Sequence, residues 1–298
     1  MHTDITPEVF SGRHRHVPTP QYLFVMRKHT YNHINMNRYS PILDAVRKKK
    51  PLVLQITNTV TVNDCANITI CFGASPVMSD DPDDAAELAG KADSLLLNIG
   101  TANVKQIEIM RSAADSAEDS AIPIVLDPVG AGASAFRRET AYRFMKKYPL
   151  SVIRGNAGEL HSLAGREACV CGVESDESAD LSLCAALALE SGAVVAASGA
   201  ADLVTDGKSA VEIANGIPLM GKICGTGCMA GSAAAAAAAV ASPFDAAVFS
   251  HCALGIAGEK ASVYAKGPGT FKQALFDEVF SLTAADIETY AKIREVKV

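Results

Sequence analysis

Residues 122–134 read IPIVLDPVGAGAS: Ile124, Val125 and Leu126 run together, and Asp127, a proline and two glycines then stop them. A short strand that is apolar at every position has both faces buried, which points to a parallel sheet covered on two sides. The same pattern repeats outward. Upstream, SLLLNIG (94–100) reads as another such strand and VKQIEIMRSAADSAED (104–119) as an amphipathic helix. Downstream, FRRETAYRFMKKY (136–148) reads as a helix and SVIRGN (151–156) as a strand, with a further helix starting at Ala157. ADLSLCAALALES (179–191) and AVVAASG (193–199) give one more helix and strand. Toward the N-terminus, ILDAVRKKKP (42–51) is helical, LVLQIT (52–57) a strand and AAELAGKA (85–92) a helix. ADLVTDGKSAVEI (201–213) departs from the pattern: Asp206-Gly207 marks the tight turn of an antiparallel hairpin. From Cys228 onward the pattern is almost wholly helical. Strands alternating with helices predict a three-layer α/β fold with a mostly parallel central sheet.

The bulk numbers agree. With 298 residues, 49% hydrophobic and 20% charged, the chain can bury a large core. A formal charge of −6 speaks against a nucleic-acid partner held through phosphates. Eight irregularly spaced cysteines, with no secretory signal before them, read as reduced thiols of a cytoplasmic protein. Neither Cys169-x-Cys171 nor the Cys224/Cys228 spacing suits zinc. The stretch Ile223–Phe244 lacks charge but is alanine, glycine and serine, so it predicts a buried helix and no membrane span. Residues 1–37, which include His14-x-His16, lack any sustained period and read as a poorly ordered extension before a single domain over 38–298. Met36 is an alternative start.

In an open parallel sheet, ligands bind beyond the carboxyl ends of the strands. Those ends carry Asn58, Gly100-Thr101, Asp127 with its glycine loop, Arg154, Glu159, Ser198-Gly199 and, after the hairpin, Gly225-Thr226-Gly227-Cys228. Glycines ahead of a helix leave backbone N–H groups aimed at one spot, where the helix dipole favours an anion. Asp127 and Glu159 have the chemistry to hold magnesium, although Asp127 equally suits a turn cap and Glu159 a surface position. Arg154 is unusual at the end of a buried strand and suits phosphate. A thiol at a helix N-terminus is expected to have a lowered pKa, which makes Cys228 a candidate reactive group. Asn58, Asn63 and Asn67 suit either recognition of a polar heterocycle or helix capping. Gly216–Lys222 fits the spacing G-x-x-x-x-G-K, but Ile223 stands where a magnesium-binding hydroxyl belongs, so the match is fortuitous.

Several motifs together resemble the hydroxyethylthiazole kinase family: ITNTVTVNDCAN (56–67), FGASPVMSDDPDDAAEL (72–88), LLLNIGT (95–101), VLDPVGAGASAFR (125–137), IRGNAGEL (153–160), GTGCMAGS (225–232) and KGPGTF (266–271). The likeness runs from about Tyr39 to Val298. It implies a ribokinase-like fold, a homotrimer with active sites at subunit interfaces, and ATP- and magnesium-dependent phosphorylation of 4-methyl-5-(2-hydroxyethyl)thiazole. It also implies roles. Met78, through its backbone, and Gly225 would bind the thiazole, Arg154 and Ser198 would bind ATP, and Asp127 and Glu159 would organise magnesium. Gly225, Thr226, Gly227 and Cys228 would form the anion hole, with Cys228 as the base. Cys224 replaces the family's usual threonine, and serine replaces threonine at 198. A kinase for a pyridoxal- or hydroxymethylpyrimidine-type vitamin precursor, or a non-catalytic thiazole- or nucleotide-binding protein, are the alternatives.

Overall fold

The computed structural model of the chain describes residues 36–165 and 180–298. The N-terminal extension with His14 and His16, and Cys169 and Cys171, lie outside the described residues. In chain order the elements are α1 (Ser40–Lys49), β1 (Leu52–Ile56), α2 (Val62–Phe72), β2 (Ser75–Val77), α3 (Pro82–Ala89), β3 (Ser94–Asn98), α4 (Val104–Asp119), β4 (Ile124–Asp127), α5 (Ala135–Lys147) and β5 (Val152–Asn156). They continue as α6 (Ala157–Leu163), α7 (Leu181–Ser191), β6 (Val194–Ser198), β7 (Asp202–Thr205), β8 (Ala210–Ile213), α8 (Thr226–Ala238), α9 (Pro243–Ser262), α10 (Pro268–Ser281), α11 (Ala284–Tyr290) and β9 (Ile293–Val296).

The strands form one sheet in the order β2-β1-β3-β4-β5-β6-β7-β8-β9. It is parallel from β2 to β6 and antiparallel from β6 to β9. Two strands go beyond the sequence reading. β2 is three residues long at one edge, too short for a visible period. β9 follows the helical C-terminal third and closes the other edge against β8. The Asp206-Gly207 turn is where it was expected, with Gly207 at φ 85°.

Side chains alternate across a strand, so each strand feeds two cores. Val53, Leu96, Val125, Val152 and Ala196 pack with α1, α2, α8, α9 and α10 on one face. Leu54, Leu95, Leu97, Leu126, Ile153 and Val195 pack with α3, α4, α5 and α7 on the other. The alanine run forms α8, buried at almost every residue. Its small side chains let it lie close on the sheet: a Cβ added to Gly231 would stand 3.5 Å from Leu96 Cδ1 and 3.3 Å from Asp127 Oδ2. Among the described residues no helix is long and apolar enough to cross a membrane. The six cysteines in those residues are free thiols.

Candidate active site

The alternation that buries Leu96, Val125, Val152 and Ala196 under α8 and α9 sends the residues two positions later to the same face. These are Asn98, Asp127, Arg154 and Ser198, each at or near a carboxyl end. Register brings them side by side: Asn98 pairs with Asp127, and Arg154 lies across from Ala196. The strand order reverses between β1 and β3, so the loop after β1, with Asn58, opens onto the same crevice.

A chain of amides crosses it. The Asn58 Oδ1 accepts from the backbone N–H groups of Val60 and Thr61, which turns its Nδ2 toward Asn98 Oδ1 at 3.0 Å and Cys228 Sγ at 3.4 Å. Asn98 Oδ1 also accepts from the Gly100 N–H, and Asn98 Nδ2 donates to Asp127 Oδ2 at 2.8 Å. Asp127 is fully buried, and its Oδ1 has no hydrogen-bond partner among the described residues. Burial lifts its carboxyl to about 7; nearby Arg154 and the Asn98 amide pull it down and Glu159 pushes it up.

Arg154 sits between two arms. Its Nη2 donates to Ser198 Oγ at 2.7 Å, and its Nη1 stands 3.9 Å from Asp127 Oδ1. The guanidinium rests on the start of α8, because a Cβ added to Gly227 would fall 3.0 Å from its Cζ. Gly225, at φ 98°, occupies the N-cap position, and no side chain caps the helix. The amides of Thr226, Gly227 and Cys228 therefore belong to the first turn, where N–H groups lack intrahelical partners. Thr226 Oγ1 fastens that turn to the Met220 carbonyl at 3.1 Å. Gly216–Lys222 ends in a 3₁₀ turn, Pro218–Lys222, rather than opening an α-helix, so it makes no phosphate cradle of its own.

Other expectations change. Cys228 was expected to have a lowered pKa. Instead, burial, reinforced by the Asp127 carboxylate, drives the thiol up to about 12, outweighing the hydrogen bonds that favour the thiolate. The sulfur is shielded from water beside a buried acid, and both disfavour the thiolate. Glu159 is buried rather than on the surface. Its Oε1 accepts from Gly130 N–H and its Oε2 from Asn156 N–H, both at 2.8 Å, which fixes the glycine loop after β4 to the start of α6. Only one of the three asparagines reaches the crevice: Asn63 and Asn67 bond to each other on the exposed side of α2, and Thr61, not asparagine, is the N-cap. Met78 lies just beyond edge strand β2, at the carboxyl end. In the sheet order β2 is separated from β4 by β1 and β3. The structure thus brings together Asp127, Arg154, Ser198, Gly225, Gly227 and Cys228, and puts Met78 directly after edge strand β2.

The hydroxyethylthiazole kinase sequence family matches residues 43–285. The chain belongs to the hydroxyethylthiazole kinase family. A family protein from Methanocorpusculum labreanum, named hydroxyethylthiazole kinase, is 54% identical over 262 residues, covering 87% of this chain and 99% of the relative. The solved hydroxyethylthiazole kinase structure from Pyrococcus horikoshii OT3 superposes with a TM-score of 0.81 at 37% identity, over 88% of this chain and all of that one. A ribokinase-like superfamily protein from Enterococcus faecalis, 13% identical with a TM-score of 0.57 over 85% of this chain and 93% of its own, shares the fold.

This hydroxyethylthiazole kinase family member has a donor set that suits magnesium. No group of three or more His, Cys, Asp or Glu forms a metal cage among the described residues. Magnesium does not need one: it keeps waters and binds through one or two carboxylates plus substrate phosphates. The unpartnered, buried Oδ1 of Asp127, beside the first turn of α8, has the chemistry of such a donor. Asn98 is the site residue that sequence reasoning missed. Its signal was present, as a polar residue directly after the apolar run Leu95–Leu97, two positions after a core leucine. Cys224, the family departure, is exposed, and its side chain stays out of the hydrogen-bonded cluster.

Proposed function

We propose that the chain transfers the γ-phosphoryl group of ATP to the primary hydroxyl of 4-methyl-5-(2-hydroxyethyl)thiazole, for thiamine synthesis or salvage. The observation that carries this reading, in a chain of this family, is the uncapped N-terminus of α8 with the Arg154 guanidinium seated on Gly227 and the buried Asp127 beside it. Phosphoryl transfer passes through a loose transition state, so catalysis is mainly positioning and charge stabilisation. The first-turn amides of α8 receive the oxygens of the transferring group. Arg154, oriented by Ser198, offsets their charge. Asp127 would hold magnesium directly, and Glu159 would act through the Gly130 loop; the ion supplies charge neutralisation on the phosphates.

Cys228 lies at the acceptor end of the cradle. With its thiol pushed up to about 12, it orients the attacking hydroxyl rather than waiting as a preformed thiolate. A strong base is not needed where the proton leaves late. Gly225 and Met78 would border the thiazole. We further propose a cytoplasmic, magnesium-dependent homotrimer with sites completed at subunit interfaces, and residues 38–298 as a single catalytic domain.

The test is ADP release measured with the thiazole alcohol, the hydroxymethylpyrimidine alcohol and pyridoxal in parallel. Turnover of the thiazole alcohol with little on the other two is expected. Preference for the pyrimidine or pyridoxal would overturn the substrate assignment, and binding without ADP release would make the chain a ligand-binding protein.

A further inference from the structure

Helix α9 is buried along most of its length and largely apolar, yet it carries His251 near its middle, 4% exposed. Its Nδ1 lies 2.7 Å from Asp202 Oδ2. Asp202 opens β7, and its other oxygen accepts from the Gly199 N–H at 3.0 Å. Gly199 directly follows Ser198, whose Oγ accepts from Arg154 Nη2 at 2.7 Å. One carboxylate therefore spans a histidine in the core and the turn that ends β6, and the chain of contacts finishes on the guanidinium. No step of the reaction described above uses His251.

An imidazole and a carboxylate taken out of water stabilise a fold less than an apolar pair of equal volume would. What the pair does provide is direction. A carboxylate only accepts, so Nδ1 carries the proton in this contact, and the geometry of Asp202 is set from α9. With one oxygen held there, the other has a defined place from which to accept the Gly199 N–H.

We propose that His251 is a positioning residue for the nucleotide side of the site: through Asp202 it fixes the Ser198–Gly199 turn, and through that turn the seat of Arg154. The proposal rests on the reading that Arg154 and Ser198 hold ATP. It assigns the work to one ring nitrogen. His251 Nε2 has no hydrogen-bond partner among the described residues, so only the Nδ1 proton matters. Asparagine places an amide donor near the Nδ1 position, glutamine places one near Nε2, and leucine places none.

The experiment is steady-state kinetics on the full chain with ATP and the thiazole alcohol varied in turn, alongside thermal unfolding; if turnover is too slow, calorimetry of ATP binding gives the same comparison. His251→Leu is expected to raise KM for ATP about tenfold, the effect of losing one hydrogen bond to a charged group, while KM for the alcohol moves less than about twofold. His251→Asn should recover most of that loss, and His251→Gln should not. Ser198→Ala added to His251→Leu should cost little more than either alone, because both act on one seat. The proposal is overturned if both KM values rise together, if asparagine and glutamine behave alike, or if the double variant is fully additive. Should the leucine variant fail to fold, the asparagine–glutamine comparison decides by itself. Arg154→Ala separates the two levels. If it leaves ATP affinity unchanged, the nucleotide assignment falls and this proposal with it; if it weakens ATP while the His251 variants do not, only this proposal falls.

Discussion

Adding a single methyl group at Gly227 should disable the site without unfolding the protein. The new Cβ would stand 3.0 Å from both Cζ and Nη2 of Arg154, and closer to Nη1. Comfortable contact between such atoms is about 3.5–4.0 Å, so the guanidinium has to retreat by roughly 0.5–1 Å. Its 2.7 Å bond to Ser198 Oγ has little of that slack before it leaves hydrogen-bonding range. Helix α8 is packed close on the sheet at Gly231, against Asp127 and Leu96, so backing it away from Arg154 would open that contact. A hydrogen bond involving a charged group contributes about 1.5–3 kcal/mol, which is roughly a 10- to 100-fold effect at 1.4 kcal/mol per decade. The backbone itself favours the change. Gly227 is absent from the glycines with positive φ, and alanine in a helix is more stable than glycine by up to about 1 kcal/mol. Gly227→Ala is therefore expected to lower kcat/KM for ATP about 10- to 100-fold in a coupled ADP assay, with Tm unchanged or higher. Wild-type kcat/KM in a folded Gly227→Ala protein would refute the argument. So would a Gly227→Ala/Arg154→Ala pair that loses the full sum of the two single effects, because the methyl would then act on something other than Arg154.

Two further tests concern the buried groups. Cys228→Ala should lower turnover by about 10- to 100-fold, and Cys228→Asp should retain or raise it, since a carboxylate can orient the attacking hydroxyl by accepting its hydrogen bond and can also take its proton; full activity in the alanine variant would leave Cys228 as helix packing only. The Asp127 carboxyl, raised to about 7 in the fold, returns to about 3.9 on unfolding. Between those values the folded chain holds a proton that the unfolded chain has lost, so the stability of the ligand-free protein should fall as pH rises from about 4 to about 7 and then level off. Asp127→Asn removes that slope, and its Tm should exceed the parent's by more at pH 8 than at pH 5. An equal difference at both pH values would mean that Asp127 does not titrate in this window. Activity should drop at least as far in this variant as in Cys228→Ala.

The sequence by itself determined the layers and the addresses of the chemistry. Apolar runs such as Ile124–Leu126 and Leu95–Leu97 need cover on both faces, so they dictate a parallel sheet between helices, and each run stops at a residue that must face the crevice. Glycines before Cys228 likewise announce a helix N-terminus open to an anion. Strand β2 escaped because three residues carry no period, and β9 because its four residues follow a long helical stretch and find their partner only at β8. Asn98 was legible in principle, since its place two residues after Leu96 matches that of Asp127 after Val125. Which of the sheet's two faces these residues share with α8, and how far each side chain reaches, was decided by tertiary packing. The thiol of Cys228 is the clearest case. Local sequence puts it at a helix N-terminus, where the dipole favours the thiolate. The fold then seals it from water beside Asp127, and desolvation next to a second acid disfavours the thiolate, which the local sequence does not reveal.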